Sequence, residues 1–295
     1  MWNEAGGARF KRLMSRPPFV LLLLALLPVL PARAEETEGV PPLLLDALTK
    51  YAADFDHWAY TETRTTADEH GVPQSVAQVR FDPSRPYGEQ YQPLLIDGKP
   101  PTKRQLESYR RRGEKRGDKL LKDEEEGRTA SSRLQHFSID GGKASVDLAH
   151  AMVVAEDAAS VTYEVPMRND GRATFPIEKV QLLVRVNRQG RTFERVDLRQ
   201  RESIRLKLVF KITGASGGVD FAAVDATHAP AVVRMSGDFS ATLLFMKLEA
   251  SFESKRADFK RVKPYSERFG VKIGPMKALN FEGRTRAGLT PPPAG

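Results

Sequence analysis

Gly214-Ala215-Ser216-Gly217-Gly218 has the G-x-S-x-G spacing with which many hydrolases expose a serine nucleophile. Such an elbow needs a parallel strand before it and a helix after it. Here an alternating strand precedes it, and Val219-Asp220-Phe221-Ala222-Ala223-Val224 reads as another strand. A glycine-rich hairpin loop is therefore expected at 214–218. Asp54, Asp56 and His57 are the second candidate, since Asp54 and His57 are three apart and would share a helical face. No second histidine lies nearby, and His70, His136, His150 and His228 are scattered singly, so a polar helix end is expected rather than a metal site. Glu124, Glu125 and Glu126 fall in a charge run and have no partner for acid–base work. Arg110-Arg111-Arg112 is a triplet of the kind that meets phosphate or lipid headgroups, but the acids around it dilute its field. The chain has no cysteine, which removes disulfides, thiolate metal sites and a cysteine nucleophile. The residues thus predict a protein without catalysis, cofactor or metal, and a hydrolase acting through Ser216 ranks last among the functional readings.

The elements that would position a site begin after an export signal. Residues 1–34 combine a basic start (Arg9, Lys11, Arg12, Arg16), an apolar run from Phe19 to Leu30 and Ala32-Arg33-Ala34. Twelve helical residues rise about 18 Å, short of the roughly 30 Å hydrocarbon core of a bilayer, so cleavage after Ala34 is expected rather than anchoring. Removing the segment's five basic and one acidic side chains lowers the formal charge from +8 to +4, too little to suggest nucleic acid. With no lipid-accepting cysteine and no later apolar span, the expected home is the periplasm, with the extracellular space as the alternative.

The mature chain reads as a single β-rich domain over 35–284 and a proline-rich disordered tail over 285–295 (TRAGLTPPPAG). From Pro41 to Trp58, Leu44, Leu45, Leu48, Tyr51, Ala52, Phe55 and Trp58 recur every three or four residues, predicting an amphipathic helix. A hairpin follows, from Trp58 to Thr66 and from Val72 to Phe81, turning at Glu69-His70-Gly71. Residues 82–102 hold five prolines and two glycines and are expected to be irregular. Lys103 to Glu126, with nine basic and seven acidic residues, reads as a solvated helix broken at Gly113 and Gly117, or as a mobile arm, inserted into a β protein. Alternation then marks strands at Val161–Met167, Val180–Val186, Ile204–Ile212 and Met246–Phe252, and the apolar parity flips at Leu243-Leu244, as at a bulge or bend. Period two without intervening helices predicts an α+β, β-dominated fold: a curved antiparallel sheet with one dry and one wet face, an N-terminal helix and a charged helical insertion.

This order of elements, over Pro41 to Phe81 and Val161 to Phe259, resembles the LolA/LolB-type half-barrel superfamily of periplasmic carriers, which includes the lipid-binding domain of RseB. The chain departs from these in its charged insertion and in lacking the lipobox cysteine, which argues against an outer-membrane acceptor and leaves a soluble carrier or sensor. The resemblance implies a concave sheet face that shields lipid or an acylated protein. The residues it assigns to that face are Trp58, Tyr60, Val79, Phe81, Leu182, Val184, Leu206, Leu208, Phe210, Leu248 and Phe252, with 103–126 as a lid or as a docking element for an envelope partner. The next reading is an envelope assembly or interaction protein with a packed core. Two further segments, Phe81-Asp82-Pro83-Ser84-Arg85-Pro86-Tyr87 and Ala257-Asp258-Phe259-Lys260-Arg261-Val262-Lys263-Pro264-Tyr265, look like family signatures without an attached activity.

Overall fold

The computed structural model describes residues 39–126, 136–139, 142–169, 176–206, 210–243 and 246–268. The expected export signal at 1–34, Leu208, Leu244 and the tail 285–295 lie outside them. Pro41 and Pro42 open helix α1 (Pro42–Asp54), as fixed φ angles favour a first turn, and Leu44, Ala47, Leu48 and Tyr51 form its buried stripe. The hairpin follows as β1 (Trp58–Asp68) and β2 (Pro73–Phe81). After β3 (Tyr91–Ile96) and helix α2 (Lys103–Glu125) come β4 (His136–Ile139), β5 (Gly142–Val146), β6 (Met152–Glu156), β7 (Ser160–Val165) and β8 (Met167–Asn169). The chain continues through β9 (Val180–Asn187), β10 (Thr192–Gln200), β11 (Ile204–Leu206), β12 (Phe210–Ala222), β13 (Ala231–Leu243) and β14 (Met246–Arg261).

Eleven strands form one antiparallel sheet in the order β3-β2-β1-β14-β13-β12-β10-β9-β7-β6, with β11 paired to the start of β12, while β4, β5 and β8 make a small second sheet. The large sheet is curved and does not close, so the fold is α+β and β-dominated, as the alternation predicts. Its dry face can be followed strand by strand in the register. Val165, Leu182 and Leu198 lie side by side, then Val219 opposite Met235, Gly237 opposite Phe252, and Glu62 opposite Val79. The wet face carries cross-strand charges such as Arg234 with Glu253 at 2.8 Å and Arg185 with Glu194 at 2.9 Å. Helix α1 lies on the dry face over β9 and β10, where Tyr51 meets Phe193 and Phe221 edge-on at 5.8 and 5.3 Å. No helix among the described residues is long and apolar enough to cross a membrane.

Several local expectations are corrected. The 82–102 stretch contains β3 despite Pro93, because β3 is an edge strand and the missing N–H breaks no ladder that a central strand would need. Ile204–Ile212 is a hairpin rather than one strand, Ile204 pairing with Ile212 and Leu206 with Phe210; apolar parity is the same on both arms of a tight reversal, so alternation alone hides the turn. The chain also reverses after Leu243, which pairs with Met246, so the parity flip marks a hairpin and not a bend in one strand. Pro166 ends β7, and Met167 belongs to the second sheet. Residues 214–218 lie in the middle of β12, between β10 and β13, and are neither an elbow nor a hairpin loop. There the glycines make room across the sheet. A Cβ on Gly237, which pairs with Gly217, would stand 2.5 Å from the Phe252 ring and 2.9 Å from the Ser216 carbonyl oxygen. Ser216 itself is exposed on the wet face.

Helix α2 runs unbroken through Gly113 and Gly117. Thr102 and Gln105 close its start as a reciprocal capping box, with Thr102 N–H donating to Gln105 Oε1 at 2.8 Å. The two glycines are buried because Tyr87 presses against them: a Cβ at Gly113 would collide with the Tyr87 carbonyl oxygen, and one at Gly117 with the Tyr87 ring. Helix propensity alone predicts that Gly113→Ala stabilises by about 1 kcal/mol. The docked geometry predicts the opposite sign, a loss of about 1–3 kcal/mol from overpacking, read by thermal or urea denaturation.

Candidate functional site

At the β3 side of the sheet, a bulge decides which side chains share the dry face. Between β1 and β14 the register jumps from Ala59–Lys260 to Thr61–Ala257, and Asp258 takes up the extra residue at φ 53°. Arg80 holds the bulge from the wet face, its Nη1 donating to the Asp258 carbonyl oxygen at 2.8 Å. The shift puts both Phe259 and Arg256 beside Tyr60, with Phe259 5.8 Å from the Tyr60 ring centre.

From there an aromatic row crosses four strands. Trp58 meets Phe259 at 6.2 Å, Tyr60 meets Phe81 at 5.2 Å, and Phe81 meets Tyr91 at 4.9 Å. Four of the five rings carry a guanidinium: Arg261 over Trp58 at 5.2 Å, Arg256 over Tyr60 at 4.3 Å, Arg116 over Phe81 at 5.3 Å and Arg112 over Tyr91 at 4.5 Å. Two of these cations have acidic partners. Arg261 Nη2 donates to Asp54 Oδ1 at 2.5 Å, and Arg116 Nη2 donates to Asp56 Oδ1 at 2.6 Å. Arg116 Nη1 also reaches Gln90 Oε1 at 2.7 Å, stapling α2 to the loop below it. Asp54 and Asp56 therefore neutralise arginines, and His57 Nε2 lies 3.1 Å from Glu267 Oε1. Among the described residues no group of three His, Asp or Glu side chains gathers as for a metal.

Arg256 and Arg112 have no carboxylate partner among the described residues. Arg112 belongs to the basic triplet, whose other members pair along α2: Arg110 and Arg111 both donate to Glu107, at 2.8 and 3.0 Å. Among the described residues the carboxylate on this part of the dry face is Glu62, 7% exposed, which accepts from Arg64 Nη2 at 2.5 Å. Burial pushes the Glu62 carboxyl up, but Arg64, then Arg256 and Arg112, more than offset it and hold it below its ordinary value. Burial raises the Tyr60 hydroxyl to about 12 and raises Tyr51 as well, so both stay neutral.

The residues expected on a binding face divide into two groups. Leu182, Val184 and Phe252 are buried in the main core with α1, and Phe210 packs against it. Trp58, Tyr60, Val79 and Phe81 belong to the arginine-topped region, where Trp58, Val79 and Phe81 are buried. Leu248 is half-buried near the β13–β14 turn, where Met246 is exposed. Leu206 lies in β11 opposite Phe210. Sequence reasoning missed Glu62, Arg64, Ser254 and Arg256. Their signal was present: the dry-face parity Trp58, Tyr60 continues into Glu62 and Arg64, and that of Phe252 continues into Ser254 and Arg256, placing charges at core positions.

The two signature-like segments meet here. Tyr265 N–H donates to the Pro83 carbonyl at 2.8 Å, and the Tyr87 and Tyr265 rings lie 5.3 Å apart. Gln90, 1% exposed, completes the junction by donating to the Arg85 carbonyl at 3.0 Å. Their role is to seat α2 against the sheet.

Neither protein-family models, curated proteins nor solved structures contain a match to this chain.

The depressed Glu62 carboxyl makes a pH prediction. Its contribution to stability is present above its unfolded value of about 4.5 and is lost as pH falls toward the lower folded value. Glu62→Gln should therefore flatten the fall of melting temperature below about pH 4.5. At pH 7 it should cost on the order of 3 kcal/mol, since it strands Arg64.

Proposed function

We propose that this chain is an exported, non-catalytic carrier or sensor of the periplasm that holds a lipid or acylated ligand along the dry face of its sheet, as the half-barrel carriers it resembles do. The observation that supports this is a mismatch of widths. Ten strands about 4.8 Å apart make an arc of about 43 Å, while the one apolar helix laid on it is about 10–12 Å across. Helix α1 covers β9 and β10, and α2 sits at β3. Between them lie Met235, Phe239, Phe252 and Val79, on strands that neither helix chiefly packs against; they are already 1–9% exposed, so a ligand would enter by parting this packing. An acyl chain inserted into this apolar face would bury its own methylenes, ten of them gaining about 8 kcal/mol before the cost of association and of parting the packed side chains. Met246 and Leu248 would be the rim where the chain enters.

A second reading, an envelope protein that docks a partner through α2, is favoured by Leu106 and Leu121, which are 46% and 48% exposed among the helix's charges.

Fluorescence titration with cis-parinaric acid tests the first reading. Saturable binding is expected, weakened at least tenfold in Leu248→Glu, a rim change that leaves the fold intact by circular dichroism. No binding by the parent chain, or equal binding by the variant, contradicts the carrier; binding of a partner that is lost on Leu106→Glu would then favour the second reading.

A further inference from the structure

The dry face holds more positive charge than its own side chains neutralise. Arg64 and Arg256 face one carboxylate, Glu62, whose hydrogen-bonded partner of the two is Arg64, while Arg112 acts on Glu62 from its exposed place on α2. Arg256 rests on the Tyr60 ring, and its one hydrogen bond among the described residues is with Met235 Sδ at 4.0 Å. A thioether is a weak acceptor and a ring face offers no lone pair, so the guanidinium keeps most of its five N–H groups unspent. Three polar atoms are buried without a partner in one patch: Arg256 Nε, Arg64 Nε and Ser254 Oγ. Ser254 is 1% exposed, and it stands opposite Arg64 across the β1–β14 ladder, two residues before Arg256. Leaving such donors dry and unmatched is costly, so native chains match them, and a matching group must bring acceptor oxygens and negative charge. The contrast with the neighbouring cations is direct. Arg261 and Arg116 occupy the same aromatic row and each has its aspartate, whereas Arg256 has none.

We propose that Arg256, Arg64 and Ser254 form an anion-binding site on the dry face, which takes an acidic oxyanion group, carboxylate or phosphate. In the carrier reading, on which this part rests, that group is the head of the ligand whose tail lies along Phe252, Phe239 and Leu248. The two guanidiniums supply charge-assisted N–H donors and Ser254 supplies a hydroxyl, while Glu62 orients Arg64 and repels a badly placed oxyanion. Arg112, held over Tyr91 by α2, adds positive field from the helix side. Tyr60, kept neutral by burial, supports Arg256 through its ring.

The test is calorimetric titration of the purified chain with three probes: oleate, oleyl alcohol and inorganic phosphate. Oleate and oleyl alcohol share a tail and differ in head. The site predicts oleate at least tenfold tighter than the alcohol, and Arg256→Met should bring the two to parity. Ser254→Ala removes a hydroxyl that bonds nothing else among the described residues. Its melting temperature should stay put while affinity for oleate falls about three- to tenfold, which keeps the test decisive if the Met variant does not fold. Phosphate binding that disappears in either variant, with or without lipid binding, supports the site and identifies a free anion as sufficient; phosphate without either lipid overturns the carrier reading alone. Equal affinity for oleate and the alcohol, unchanged in both variants, overturns the anion site and leaves the carrier standing. No binding of any probe overturns both.

Discussion

A wide antiparallel sheet with one dry face must keep that face from water, and this chain has a single apolar helix to do it. Everything else follows from that constraint. Helix α1 lies over β9 and β10, and Gly237 leaves the room that the Phe252 ring takes up. At the other flank the cover is a charged helix, so the surface beneath it must be one that arginines can lie on. The aromatic row from Trp58 to Tyr91 meets that need, because ring faces accept guanidinium groups whose stems are apolar.

Charge on the dry side is handled unevenly. The helix end supplies Asp54 and Asp56 to two of the row's arginines, which ties α1, α2 and β14 into one unit through ion pairs that are mostly shielded from solvent. Glu62 is left to serve the rest. Arg256 is half-buried and shares the charge of Glu62 with Arg64, and a cation so weakly compensated costs stability.

Much of this architecture was legible in the residues. The stripe Leu44, Leu48, Tyr51 predicts α1, the alternations at 180–186 and 246–252 predict strands with one dry face, and Thr102 with Gln105 marks the start of α2. What stayed hidden was reversal and register. A hairpin such as 204–212 keeps the same parity on both arms, and β10, whose Arg195 and Asp197 interrupt its apolar positions, does not read as a strand until it is paired. Gly113 and Gly117 look like helix breakers because the residue they accommodate, Tyr87, is distant in sequence. The site was half visible: Trp58, Tyr60 and Phe81 were assigned to the binding face, while Tyr91, Phe259, Glu62, Arg64 and Arg256 were not; the charges continue the parity of Trp58, Tyr60 and Phe252, and the Asp258 bulge brings Phe259 and Arg256 together beside Tyr60.

The central claim is that the dry face of the sheet exists to hold an acyl ligand. Native mass spectrometry of the chain, purified without detergent from cells that export it and followed by solvent extraction, tests this most directly. The account predicts a reproducible added mass that extracts as an acidic lipid or an acylated peptide. A clean mass of the polypeptide alone, unchanged after incubation with a lipid extract of the same cells, would contradict it and leave a sheet whose dry face is core and nothing more.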